Sequence, residues 1–263
     1  MIERTIPGSQ GALAVLDFGE PAGTTLPVVF LHADAGRAQQ WAEQARRLAP
    51  ERRAIAFDFR GNGASAPARD RDYGYAGRAE DIASVVDALG VRRFALVAHS
   101  GGGAVALAYA AAHPERVAGV LLIDPPTDPR ALPAEVRDGF VADLAGPRSL
   151  EALKTYYASI AGTNPVVRDR VLADCDAVDP AARAGLGAAL AAWNPEPALD
   201  GWRGPIAIVA TPANAGAHAL YVLRPAIPHQ IIGDAGHWVQ LDQPDAVARA
   251  VRGFVSGLPG ERD

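Results

Sequence analysis

The 263 residues are 49% hydrophobic and carry a formal charge of -5, enough apolar material for a large core and no basic excess to neutralise phosphates, which excludes nucleic acid as a partner class. A single cysteine, Cys175, excludes an internal disulfide, and no apolar run approaches the ~20 residues of a membrane span. The opening stretch, MIERTIPGSQ, has charges and a proline where a secretion signal needs an apolar core, so a soluble cytoplasmic protein is expected.

Short apolar runs alternate with helix-period segments through most of the chain, the pattern of a mostly parallel sheet with crossover helices on both faces. Strands are predicted at 12–18 and 28–31, whose turn residues suggest an antiparallel hairpin at one edge, and next at 54–57. Ile82, Val85, Val86 and Leu89 recur at helical spacing, with Gly90 as the stop. A strand follows at 94–98, then a helix over 101–113 that is apolar almost all round and belongs against the sheet centre, then a strand at 119–123. These inner strands show little alternation, as expected where both faces are covered.

The alternation then breaks. About eighty residues pass without a convincing strand, and helices are predicted at roughly 133–144, 149–161, 165–177 and 180–193. Connections in α/β units usually run ~2–6 residues, so this insertion is expected to cap one end of the sheet. It sets the predicted boundaries: a core of 1–124 and 205–263, and a helical cap at 125–204. Strands return at 206–210 and 230–232, and Pro244 opens a final helix carrying Val247, Ala250, Val251 and Phe254 on one face.

Three stretches carry chemistry. In ALVAHSGGGAVALAYA (residues 95–110), Ser100 is wedged between a strand and a helix with small residues two before and two after. That spacing suits a sharp strand-to-helix turn that presents a hydroxyl outward, with helix N-terminal amides aimed at the same spot. Alone, the stretch also fits a glycine-rich phosphate turn or a plain tight turn. GDAGHWVQLDQP places His237 just after the last strand, and a serine hydroxyl needs such a base to take its proton. VVFLHADAG ends a strand in a polar turn whose amides can face an oxyanion. His32 and His99 are read as loop organisers, and Cys175 as a buried structural thiol.

Together these motifs resemble the α/β-hydrolase superfamily along nearly the whole chain. FLHADAG is similar to its His-Gly-x oxyanion strand end with Ala33 in place of glycine, and DFRGNGAS (Asp58 to Ser65) to its Asp-x-Arg-Gly-x-Gly-x-Ser loop, whose role is structural. AHSGGG resembles the nucleophile elbow, and GHWVQLDQP the histidine loop of capped members. The resemblance implies oxyanion amides from Asp34 and Gly101, with Ala33 as the substitute for Asp34. The Asp34 side chain is expected to point away and cap its turn, because a carboxylate would oppose the charge forming there, with a role in substrate selection as the lesser alternative. Most members carry the triad acid after the penultimate strand, where this chain has Asn214 in IVATPANAG. Asp124, at the end of the strand after the elbow helix, is therefore assigned as the acid, as in certain haloalkane dehalogenases and zearalenone lactonases, and Asn214 is given no share in the triad.

The resulting expectation is a serine hydrolase cleaving a carboxylic ester or lactone through an acyl-enzyme, with Ser100, His237 and Asp124 as its triad. Phe140, Tyr156, Tyr157, Trp193 and Trp238 are the candidate pocket aromatics. A carbon–carbon bond hydrolase, or a hydrolase-like small-molecule receptor with little turnover, are the alternatives. No metal motif, nucleotide fingerprint or prosthetic-group site is present in the sequence, so no cofactor is implied, and oligomeric state is left open.

Overall fold

The computed structural model describes residues 1–19 and 25–259. Its strands are β1 (Ile2–Pro7), β2 (Ala12–Phe18), β3 (Val28–Leu31), β4 (Ala54–Phe57), β5 (Phe94–His99), β6 (Val117–Ile123), β7 (Ile206–Ala210) and β8 (His229–Ile231). They form one sheet in the order β1-β2-β4-β3-β5-β6-β7-β8. The pairs β1–β2 and β2–β4 are antiparallel and every other neighbouring pair is parallel.

The edge hairpin is therefore β1–β2, not segments 12–18 and 28–31 as the sequence suggested. β3 lies three places in, parallel to β4 and β5. β1 carries no readable pattern because all but one of its residues are exposed, so nothing selects for alternation. It is held by backbone pairing from Ile2–Asp17 to Pro7–Ala12, closed by Gly8 N–H donating to the Gly11 carbonyl at 2.9 Å.

The helices are α1 (Ala42–Leu48), α2 (Tyr75–Ala88), α3 (Gly101–Ala112), α4 (Ala134–Ala145), α5 (Ser149–Ile160), α6 (Pro165–Asp174), α7 (Pro180–Ala191), α8 (Pro195–Gly201), α9 (Leu220–Leu223), α10 (Val239–Asp242) and α11 (Pro244–Ser256). Successive residues of β5 feed opposite faces of the sheet. Phe94, Leu96 and Ala98 pack with residues of α2, α3 and α8, while Ala95 and Val97 pack with residues of α1 and α11. The continuous apolar run in the sequence is this alternation with both faces covered. Among the described residues, no helix is long and apolar enough to cross a membrane.

Helices α4 to α7 form a separate apolar cluster, with Leu144, Leu153, Tyr157, Val171 and Leu186 at its centre. Ala35, just after β3, and Trp238, in the loop after β8, join it, so these helices pack over loops at the carboxyl ends of the strands. Asn164 and Asp179 cap α6 and α7 through side-chain oxygens that accept from Val166 N and Ala181 N, each just ahead of a proline. Such caps contribute about 1 kcal/mol each and account for the sharp helix starts. The segment α8, within the predicted 125–204 insertion, joins the main core instead, where Leu199 lies with residues of α3.

Candidate active site

Ser100 sits between β5 and α3 at φ 51° and ψ -130°, a conformation costing a non-glycine residue on the order of 1–3 kcal/mol. Two neighbouring glycines make the turn possible by close approach. A Cβ on Gly101 would come within 2.2 Å of the Asp34 carboxylate, and one on Gly102 within 2.4 Å of the His32 carbonyl oxygen. The Gly103 N–H donates to the Ser100 carbonyl at 2.7 Å, starting α3 directly behind the serine.

Asp124 follows β6 at φ 43° and is 1% exposed. Its Oδ2 accepts from His237 Nδ1 at 2.6 Å and from Asn214 Nδ2 at 2.8 Å, and its Oδ1 accepts from the Thr211 N–H at 2.7 Å. An ionised carboxylate accepts only, so the bond to His237 fixes the proton on Nδ1 and leaves Nε2 bare. Asn214, given no share in the triad, nonetheless contacts it, since its amide donates to the Asp124 carboxylate that His237 reaches.

The loop bearing His237 is held from several sides. The His237 N–H donates to the Ile160 carbonyl at the end of α5, and the Gly236 N–H to Asp242 Oδ2 at 2.8 Å. His99 lies beneath, its Nε2 donating to the His237 carbonyl at 2.8 Å and its Nδ1 accepting from Gln240 Nε2 at 3.2 Å. Burial pushes the His99 imidazole well below its ordinary pKa, and the neighbouring His237 adds to the shift. His32 bridges two other loops, donating from Nδ1 to the Ala33 carbonyl and accepting at Nε2 from the Phe59 N–H at 2.9 Å. Burial brings its pKa down to about 3 against the weaker pull of the Ala33 bond. Both imidazoles are neutral struts.

A narrow pocket with about 30 Å³ of free space is lined by Ser100, His237 and Asp34 on one side and by Phe140, Tyr156, Tyr157 and Ile160 on the other. Free volume of that size holds only a few waters. Trp193 and Trp238 lie outside this wall, contrary to expectation. Trp193 packs edge-on to Tyr75 with ring centroids 5.4 Å apart, in the main core. Trp238 is fully buried against Tyr157, 4.8 Å between centroids, and the two histidine rings. The Tyr157 hydroxyl accepts from the Ala35 N–H at 2.9 Å, tying α5 to the loop after β3. Burial, with Asp34 and Asp124 adding to it, pushes the Tyr156 phenol up to about 12, so it remains a donor at neutral pH.

The Asp34 side chain does not cap its turn as expected. It contributes to the pocket wall, and its Oδ1 accepts from Arg78 Nη2 at 2.7 Å. None of the Ala33, Asp34 and Gly101 backbone N–H groups has an acceptor among the described residues, and the Ala33 carbonyl accepts from Gly36 N and His32 Nδ1. Arg78 escaped the sequence reading, although it lies four residues before Ile82 on the apolar stripe of α2, where a charge asks for a partner.

The loop at Asp58–Ser65 is a strut. Asp58 accepts from the Ala38 and Ala64 N–H groups at 2.7 and 2.8 Å, and Arg60 pairs with Asp81 at 2.8 Å. Cys175 is fully buried, its thiol pushed up to about 12 by burial, which suits a packing role.

Comparison with known proteins agrees with this architecture. The family described as the alpha/beta hydrolase fold matches residues 27–244, and the chain belongs to that family. It is similar to a dihydrolipoyllysine-residue acetyltransferase component of the acetoin cleaving system of Pseudomonas putida, 31% identical over 257 residues, 91% of this chain and 65% of that one. The chain covers less than two thirds of the length of the curated relatives it matches first. Among solved structures, an enol-lactonase from Burkholderia xenovorans LB400 superposes with a TM-score of 0.83 at 21% identity, covering 96% of this chain and 100% of that one. A thermophilic esterase from Thermogutta terrifontis superposes with a TM-score of 0.81 at 23% identity, covering 97% and 98%. At these identities the likeness is one of fold.

Proposed function

We infer that this protein is a serine hydrolase acting on a carboxylic ester or lactone. Ser100 Oγ attacks the carbonyl carbon while His237 Nε2 takes its proton, and Asp124 holds the imidazole in the required tautomer and stabilises its positive charge. The backbone N–H groups of Asp34 and Gly101 receive the oxyanion, helped by the N-terminus of α3. The alcohol leaves with the proton from His237, forming the acyl-enzyme. Water then attacks with His237 again as base, releasing the acid and restoring Ser100. Helices α4 to α7 act as the cap, with α4, α5 and α7 closing the acyl side of the pocket.

The observation that carries this reading is the 2.6 Å bond from His237 Nδ1 to Asp124, made by a histidine that shares its pocket with a serine held at positive φ. The esterase and lactonase likenesses support the substrate class as analogies of fold. The test is p-nitrophenyl butyrate hydrolysis together with labelling by a fluorophosphonate ester and mapping of the modified residue. A burst followed by steady turnover, with the label on Ser100, is the expected result. No turnover and no label on Ser100 would overturn the reading.

A further inference from the structure

The Asp34–Arg78 pair lies beside the nucleophile without a part in the acyl-transfer steps. Arg78 is fully buried, its guanidinium lies 5.0 Å from the ring centre of Tyr75 and 5.5 Å from that of Phe59, and its Nε and Nη1 have no partner. Among the described residues its one ion-pair partner is Asp34, whose side chain is 13% exposed. Burying such a pair gains little stability, because an apolar pair of similar volume would pack there without the desolvation cost. The carboxylate also lies directly against Gly101, beside the nucleophile, where an uncompensated negative charge would oppose the oxyanion. Arg78 removes that objection by neutralising it.

After the bond to Arg78, Asp34 keeps an unspent acceptor. Oδ2 has only the Tyr75 hydroxyl at 3.5 Å, a long contact, and the residue forms part of the pocket wall. We propose that Asp34, neutralised and oriented by Arg78, is a recognition site for an uncharged hydrogen-bond donor on the substrate, a hydroxyl or an amide N–H carried a few bonds from the carbonyl that Ser100 attacks. This rests on the hydrolase reading for the place of attack, and it adds the substrate class. The guanidinium behind the carboxylate disfavours an ammonium group, so the donor is neutral.

The test compares each donor with its methylated twin. p-Nitrophenyl 3-hydroxybutyrate is set against the 3-methoxy ester, and p-nitrophenyl N-acetylglycinate against N-acetylsarcosinate. A hydrogen bond to a charged acceptor predicts a kcat/KM ratio of at least ~10 in favour of the donor, in the hydroxyl arm, the N–H arm or both. Asp34→Asn keeps an oxygen for Arg78 and turns the second acceptor into a donor, so the ratio falls to about one or below. The double variant Asp34→Leu/Arg78→Met removes the pair as a unit and erases the ratio.

Binding of 3-hydroxybutyramide and 3-methoxybutyramide to the wild type, followed by NMR titration, reads the same preference without turnover. Tighter binding of the hydroxyl compound by the same factor supports the site even if every ester is left uncleaved, a result that would strike the hydrolase reading alone. Ratios near one in both arms, a ratio that Asp34→Asn leaves intact, or preference for 3-aminobutyramide over the hydroxyl compound would each overturn the proposal.

Discussion

Asn214 donates its amide to the same Asp124 oxygen, Oδ2, that His237 Nδ1 reaches, at 2.8 and 2.6 Å respectively. Position 214, where the resemblance led one to look for an acid, therefore supplies a donor to Asp124 instead. With Thr211 N–H on the other oxygen, the carboxylate is held by three donors and has no freedom to turn away from the imidazole.

That arrangement sets an order among three variants. Asp124→Asn loses the acceptor that fixes the His237 tautomer, and kcat falls by roughly 10²–10⁴. Asn214→Ala removes one bond to a charged group, worth about 1.5 kcal/mol or ~10-fold in rate. Asn214→Asp places two carboxylates against each other, so one retains a proton and the loss of activity is more severe at low pH than for Asn214→Ala. Steady-state kinetics of all three with one activated ester, from pH 5 to 8, checks the ranking. Full activity in Asp124→Asn would remove it from the triad.

Ser100 is held at φ 51°, a region that glycine occupies without strain. Ser100→Ala is expected to lose ~10⁶ in kcat while remaining folded. Ser100→Gly is expected to be equally inactive but about 1 kcal/mol more stable than Ser100→Ala, since it relieves the turn. Denaturant melts of the two variants decide this.

His32 and His99 are buried neutral, with pKa values lowered by desolvation to about 3 and well below the ordinary value. Neither titrates in the folded protein near neutral pH, so the rise of kcat/KM with pH is expected to follow a single ionisation. The same burial makes the protein acid-labile. The unfolded chain protonates both rings below about pH 6.5 and the folded one does not, so stability is complete above that value and falls as pH drops. The slope is on the order of 1 kcal/mol per pH unit for each ring. Asp58 and Asp81, whose pKa values burial raises, pull the other way at lower pH. Urea midpoints at pH 7, 6 and 5 test the sign, and His32→Gln should flatten the slope.

Phe140 and Tyr156 face the pocket while Trp193 and Trp238 do not, so truncation separates the groups. Phe140→Ala and Tyr156→Ala are expected to shift the preferred acyl chain to greater length. Trp193→Ala is expected to cost about 3–5 kcal/mol of stability and leave the chain-length profile unmoved. Tyr157→Phe deprives the Ala35 N–H of its acceptor, a loss of about 1–3 kcal/mol. A panel of p-nitrophenyl esters with parallel thermal melts measures both effects.

Most of the sheet was legible because it is local. Each inner strand is a short apolar run long enough to be buried on both faces, and α2, α3 and α11 announce themselves by period and by stops such as Gly90. The hairpin was misplaced because β1 is exposed, and an exposed strand leaves no pattern to read. Helix α8 sits inside the apparent insertion yet packs on α3, since sequence order does not say which apolar face a helix will meet.

For the site, the sequence by itself determined the residues whose spacing is dictated by a single turn. Ser100 stands among small residues because two backbones must cross there, Asp124 directly follows β6, and His237 stands in the loop after β8. Only the tertiary structure decided the pairings between elements distant in sequence: Asn214 on Asp124, Arg78 on Asp34, His99 under His237. Each is a single hydrogen bond made by a side chain, to another side chain in the first two and to a backbone carbonyl in the third, across elements brought together by the packing of the sheet and its helices. Nothing periodic records them in the chain, because each depends on the closeness of two elements that neither encodes alone.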